Sequence, residues 1–118
     1  MLIVLFNSLL RTQSLDILVK IKKLAISRRV VFTAKARSER ISDGLTVEDV
    51  IEAIVNAPSI NKILRSTSTS KKTRKEKLYI IISSSYDGKI IYTKGTIRKV
   101  DGIDEFYILI SSKWSQYE

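Results

Sequence analysis

The chain has 118 residues, 44% of them hydrophobic, and 21 Lys and Arg against 12 Asp and Glu give it a formal charge of +9. This length suits one domain, 1–118, that buries its own core without a covalent staple. With no Cys and no His, disulfides, thiolate nucleophiles, the usual zinc sites and every His-dependent triad are excluded. Chemistry falls to Lys, Arg, Tyr, Ser, Thr, Asp or Glu.

The first ten residues, MLIVLFNSLL, are strongly apolar. They lack the basic start and clear cleavage site of a signal peptide and are too short to cross a bilayer. The expectation is a cytoplasmic protein without membrane attachment, with 1–13 an apolar N-terminal extension. Leu15, Leu18 and Val19 recur at helical spacing behind Ser14, a good cap, so 14–25 reads as a helix. Arg29 to Phe32 is a short β-branched and aromatic run. Thr33 can cap a short helix through Arg40, ended by Ser42-Asp43-Gly44. The clearest helix begins after Thr46: Val47, Val50, Ile51, Ile54 and Val55 share one face, Glu48 and Asp49 suit the positive N-terminal end, and Asn56-Ala57-Pro58 stops it.

After Pro58 the period changes to two. Residues 59–66 form a weak strand candidate, and 78–85, 89–99 and 105–112 form stronger ones. Asp87-Gly88 and Asp101-Gly102 supply hairpin turns. Between the first two candidates, STSTSKKTRK cannot build a core, so 66–77 is expected to be a basic mobile loop. The predicted fold is α+β, with N-terminal helices on one face of a three- to four-stranded antiparallel sheet.

Charge is segregated along this plan. Residues 20–40 carry eight Lys or Arg against Glu39 alone, and 62–77 carry seven against Glu76 alone. Residues 41–61 hold only acidic charges. Such a field attracts polyanions, nucleic acid first. Within 89–98, alternation puts Ile91, Thr93, Gly95 and Ile97 on one side and Tyr92, Lys94, Thr96 and Arg98 on the other, assigned to solvent. Tyr79, Tyr107 and Trp114 are further stacking candidates. Lys35, Arg37, Arg40, Lys71, Lys72, Lys75, Lys94 and Arg98 are the expected nucleic-acid contacts. No Gly-rich phosphate loop and no acidic set with metal-site spacing occurs, so no cofactor or metal is expected. One reaction suits such a composition: RNA cleavage by its own 2′-hydroxyl, which needs a base, cations for the phosphorane and an acid for the departing 5′ oxygen.

Several segments resemble the motility quorum-sensing regulator family of toxins, small basic ribonucleases of the RelE type from toxin–antitoxin pairs. They are Leu18 to Lys23 (LVKIKK), Val47 to Ala57 (VEDVIEAIVNA), Ser59-Ile60-Asn61-Lys62 and Gly88 to Lys113. A related uncharacterised family shares an FT-x-HARxR start before a GhTxEDV helix, where h is apolar; here these read Phe32 to Arg40 and Gly44 to Val50. The resemblance spans about residues 15–113. It implies a RelE-like fold and metal-independent mRNA cleavage, with the family's functional lysine after the helix at Lys62, its strand tyrosine at Tyr92 and its C-terminal lysine at Lys113. It also implies a cognate antitoxin. Two positions depart: the related family's histidine is Lys35, and the toxins' glutamine has no match in 66–77, where Arg74 or Lys75 stands nearest.

The expected function is therefore an endoribonuclease toxin. Tyr92 or Lys62 accepts the proton, Lys113 and Arg74 neutralise phosphate, and Lys94 and Arg98 guide the strand. The partners are RNA and an antitoxin, with homo-oligomerisation and ribosome association left open. Two alternatives use the same basic face: a nucleic-acid-binding module without catalysis, and a module that docks an acidic protein.

Overall fold

The computed structural model describes residues 2–67 and 75–116, with side chains from residue 13 onward. Its elements run α1 (Leu2–Ile26), β1 (Val30–Phe32), α2 (Ala34–Ser42), α3 (Val47–Asn56), β2 (Lys62–Arg65), β3 (Lys77–Ser84), β4 (Ile90–Val100) and β5 (Asp104–Trp114). This is an α+β fold. Among the described residues, no helix is long and apolar enough to cross a membrane.

Helix α3 follows the sequence reading closely. Thr46 accepts from the Asp49 amide at 3.0 Å and Asp49 accepts from the Thr46 amide at 2.9 Å, a reciprocal capping box that satisfies two amides otherwise left without partners. Helix α2 starts where expected, with the Thr33 hydroxyl accepting from the Ala36 amide. Helix α1 starts earlier than periodicity from Leu15 predicts: its backbone runs unbroken from Leu2, so the apolar extension is continuous with the helix.

The sheet corrects the predicted topology. It has five strands in the order β1-β5-β4-β3-β2, and β1 pairs in parallel with β5 through Val30 to Phe32 and Tyr107 to Leu109. The expectation of three or four purely antiparallel strands missed β1, whose partner lies more than 70 residues away and whose three residues carry no alternation to read. The remaining pairs are antiparallel, and both Asp-Gly turns close hairpins.

Leu18, Ile21, Leu24 and Ala25 of α1 and Val50, Ile51, Ala53 and Ile54 of α3 pack on one sheet face, against Tyr79, Ile81, Ile91, Tyr107 and Leu109. Tyr79 and Tyr107 are therefore core residues, 8% and 0% exposed, and neither can serve as the expected stacking platform. Residues of opposite parity, Ile80, Ile82, Tyr92, Lys94, Thr96 and Arg98, form the other face. Helices α1 and α3 pack on the opposite side, and among the described residues α2 reaches this one only at its β5 edge, through Glu39 to Ser111 and Lys113. Thr96, expected at the surface, is 2% exposed.

Candidate nucleic-acid interface

Register defines this open face. Lys62 on β2 stands opposite Ile80 on β3, and Ile80 stands opposite Lys94 on β4. One row along, Ile82 stands opposite Tyr92, and Tyr92 opposite Lys113 on β5. Directly opposed residues share a face, so Lys62, Tyr92, Lys94 and Lys113 project to the same side. Strand geometry puts Lys94 roughly 7 Å along β4 from Tyr92, and Lys62 two strands away, roughly 10 Å from Lys94.

A bulge makes this arrangement. Lys94 pairs with Ser111 while Gly95 pairs with Leu109, leaving Ile110 as the extra residue on β5. Without it, Lys113 would share the parity of Tyr107 and Leu109 and turn toward the helices. Lys62 is set by Asn61, whose amide donates to the Ile80 carbonyl and whose side-chain oxygen accepts from the Ile82 amide, both at 2.8 Å. Lys113 is held from two directions. Its ammonium lies 5.5 Å from the Tyr92 ring centroid and 3.8 Å from a Glu39 carboxylate oxygen. Trp114 and Gln116 complete a recess of about 210 Å³ with these two side chains.

Glu39 and Asp43, which sequence reasoning passed over, organise this end of the molecule. Glu39 accepts from the Ser111 hydroxyl at 2.7 Å and the Ser112 amide at 3.3 Å, and it also pairs with Lys35 at 3.5 Å. Burial opposes its ionisation, but the Ser111 hydroxyl, Lys35, the Ser112 amide and Lys113 outweigh that and hold its carboxyl below the usual range. Asp43 accepts from the Trp114 amide at 2.8 Å through its carboxylate and from the indole N–H at 2.9 Å through its carbonyl. The available signal was an acidic pair spaced i, i+4, Glu39 on an otherwise basic helix and Asp43 at its C-terminal cap.

The other expected contacts scatter. Lys35 and Arg37 are exposed on α2. Arg40 turns inward, its guanidinium 5.0 Å from the Phe32 ring centroid and donating to the Leu45 carbonyl at 3.0 Å. Arg98 lies on the open face but is bidentately paired with Glu76 at 2.6 and 2.8 Å. It stands six residues along β4 from Tyr92, roughly 20 Å away. Lys75 is exposed at the same end. Lys71, Lys72 and Arg74 lie outside the described residues, as does most of the expected 66–77 loop, whose last residue, Lys77, begins β3.

On the other side of the molecule, Asp49, Glu52 and Asp87 bring carboxylate oxygens within 4.8 Å of one another. Lys89 pairs with two of these carboxylates, 3.0 Å from Asp49 and 3.4 Å from Asp87, and Glu52 accepts from the Tyr86 amide. The lysine supplies the positive charge that the carboxylates need. No family model, curated protein or solved structure matches this chain, so a functional reading rests on the geometry of the open face and on the motifs in the sequence.

Proposed function

We propose that the open face binds single-stranded RNA and cleaves it without a metal, as the ribonuclease toxin of a toxin–antitoxin pair. The observation that carries this reading is the register that gathers Lys62, Lys94, Tyr92 and Lys113 on the sheet face opposite α1 and α3. The RNA's 2′-oxygen attacks the adjacent phosphorus and the 5′ oxygen departs, leaving a 2′,3′-cyclic phosphate and a 5′-hydroxyl. Tyr92 or Lys62 takes the 2′ proton, a protonated neighbour returns one to the 5′ oxygen, and Lys113 stabilises the phosphorane charge. Lys94, between Tyr92 and Lys62, holds a flanking phosphate. Arg74, which stands nearest to where the toxins carry a glutamine without matching it, remains a proposed second electrophile. The toxin assignment and RelE-like kinship rest on the sequence motifs, and an acidic or DNA-binding antitoxin is the expected restraint.

Incubation of purified protein with mixed RNA in excess chelator tests the proposal. Cyclic-phosphate ends should accumulate, and Tyr92→Phe and Lys62→Ala should each slow cleavage by about 10²-fold, the ordinary contribution of an acid–base group. Absence of cleavage, or rates unchanged in both variants, rejects the nuclease. A second reading, binding without cleavage, is favoured by the Glu39 carboxylate 3.8 Å from Lys113, which competes with phosphate for the proposed electrophile. It requires salt-sensitive RNA retention with intact RNA.

A further inference from the structure

We propose that the recess at the end of β4 and β5 is a subsite for one unpaired nucleobase, with Trp114 as the stacking platform and Gln116 reading the base edge. The inference rests on the nucleic-acid reading of the open face and places a base at the rim of that face, where Trp114, opposite Ile91 in the register, meets Tyr92 and Lys113 across the recess. Its first support is size. At about 210 Å³ the recess falls below the roughly 300–1,000 Å³ of sites that enclose a whole small molecule, and it suits a single planar ring system.

The second support is the way the indole is held. Trp114 is 44% exposed, yet its amide and indole N–H groups are both anchored on Asp43, at 2.8 and 2.9 Å. The ring is thus fixed before any ligand arrives, and stacking on it orders no further side chain. Tyr92 is the poorer platform of the two, because the Lys113 ammonium already sits over its ring. That placement sets Lys113 beside the recess, where the phosphate of a stacked nucleotide would lie.

The third support is Gln116, exposed at the recess. A carboxamide offers one acceptor and two donors, a match for the adjacent donor and acceptor that adenine presents on its edge. A base paired within a duplex must be unstacked and unpaired to enter, at a cost in free energy, so the subsite favours single strands. Ring overlap with the indole favours purines, and the carboxamide singles out adenine among them.

The chain's single tryptophan makes the recess its own reporter. Titration of Trp114 emission with short oligoadenylate, oligouridylate, an abasic strand of equal length and an A–U duplex is paired with filter retention, which does not depend on fluorescence. Oligoadenylate should change the emission and bind about tenfold more tightly than the abasic strand, the scale of one stacked base. Gln116→Ala should narrow the preference for adenine over uracil to what ring overlap alone supplies while leaving abasic retention unchanged, which also verifies folding. Trp114→Ala should remove the advantage over the abasic strand. If strands are retained with unchanged Trp114 emission and no advantage over the abasic strand, the subsite is overturned while the nucleic-acid reading stands. If no strand is retained, both fall.

Discussion

At Gly95 the sheet has no room for a side chain, since a Cβ there would lie 2.5 Å from Cζ of Tyr107. Gly95→Ala is expected to lower stability by about 1–3 kcal/mol through overpacking, read by urea denaturation. Tyr107 itself is fully buried, and its hydroxyl has no hydrogen-bond partner among the described residues. Burial first, and Tyr79 beside it, push that phenol far above its ordinary pKa, so it stays neutral at any working pH. Tyr107→Phe removes an unpaired polar atom rather than a bond, and the same denaturation assay should show it neutral or more stable by up to about 1 kcal/mol. Asp49 gives the opposite case. The Thr46 amide, opposed by burial and aided by Lys89, lowers its carboxyl below the usual range. A carboxylate depressed in the folded state stabilises in full above its unfolded pKa, about 3.9, and loses that contribution as pH falls through the folded value. Asp49→Asn should therefore cost about 1 kcal/mol near neutrality, and the gap to the native protein should narrow in denaturation curves as pH falls below the unfolded value of about 3.9 and through the folded one.

The C-terminal half of β5 has a helix where a sheet would place another strand. Past β1, the Thr33 amide donates to the Leu109 carbonyl, the Ser112 hydroxyl to the Ala36 carbonyl, and the Ser112 and Trp114 amides to Glu39 and Asp43. Side chains of α2 and its caps thus satisfy an edge that would otherwise invite pairing with another chain. Glu39→Ala should cost about 1–3 kcal/mol by leaving the Ser112 amide unpaired. Glu39→Gln, which keeps an acceptor oxygen, should recover most of that in the same thermal melts. The parts of this architecture legible in the sequence were those whose signals are local. Helical periodicity and capping residues marked α3 and α2, two Asp-Gly pairs marked the hairpins, and parity along β4 separated Tyr92 and Lys94 from Ile91 and Thr93. What could not be read depends on residues distant in the chain. Nothing near Val30 announces Tyr107 as its partner. Ile110 looks like any other strand residue, although its bulge decides which way Lys113 points. Nor could alternation decide which of Tyr79 or Ile80 faces the helices, because β3 is apolar on both sides.

Across the whole molecule the excess of nine positive charges is not a uniform coat. Several basic side chains near the α1–β1 junction are tied to acids: Lys20 to Glu105, Arg28 to Glu48 and Arg29 to Asp104. Arg98 is likewise paired with Glu76. The open face carries Lys62, Lys94 and Lys113 around Tyr92, whereas Lys23 lies exposed on α1, which covers the opposite face. A diffuse field and a defined face differ in how binding responds to salt. Each phosphate neutralised on a single strand contributes about 0.7 to the slope of log affinity against log salt. If the open face is the contact surface, Lys94→Ala should reduce the slope for an oligonucleotide by about 0.7, and Lys23→Ala should leave it unchanged although both remove one charge. Filter retention over a salt series reads the two slopes directly. Equal reductions would mean that RNA is drawn by net charge alone, and the ordered row of lysines along the strands would then be a solubilising surface without a strand to guide.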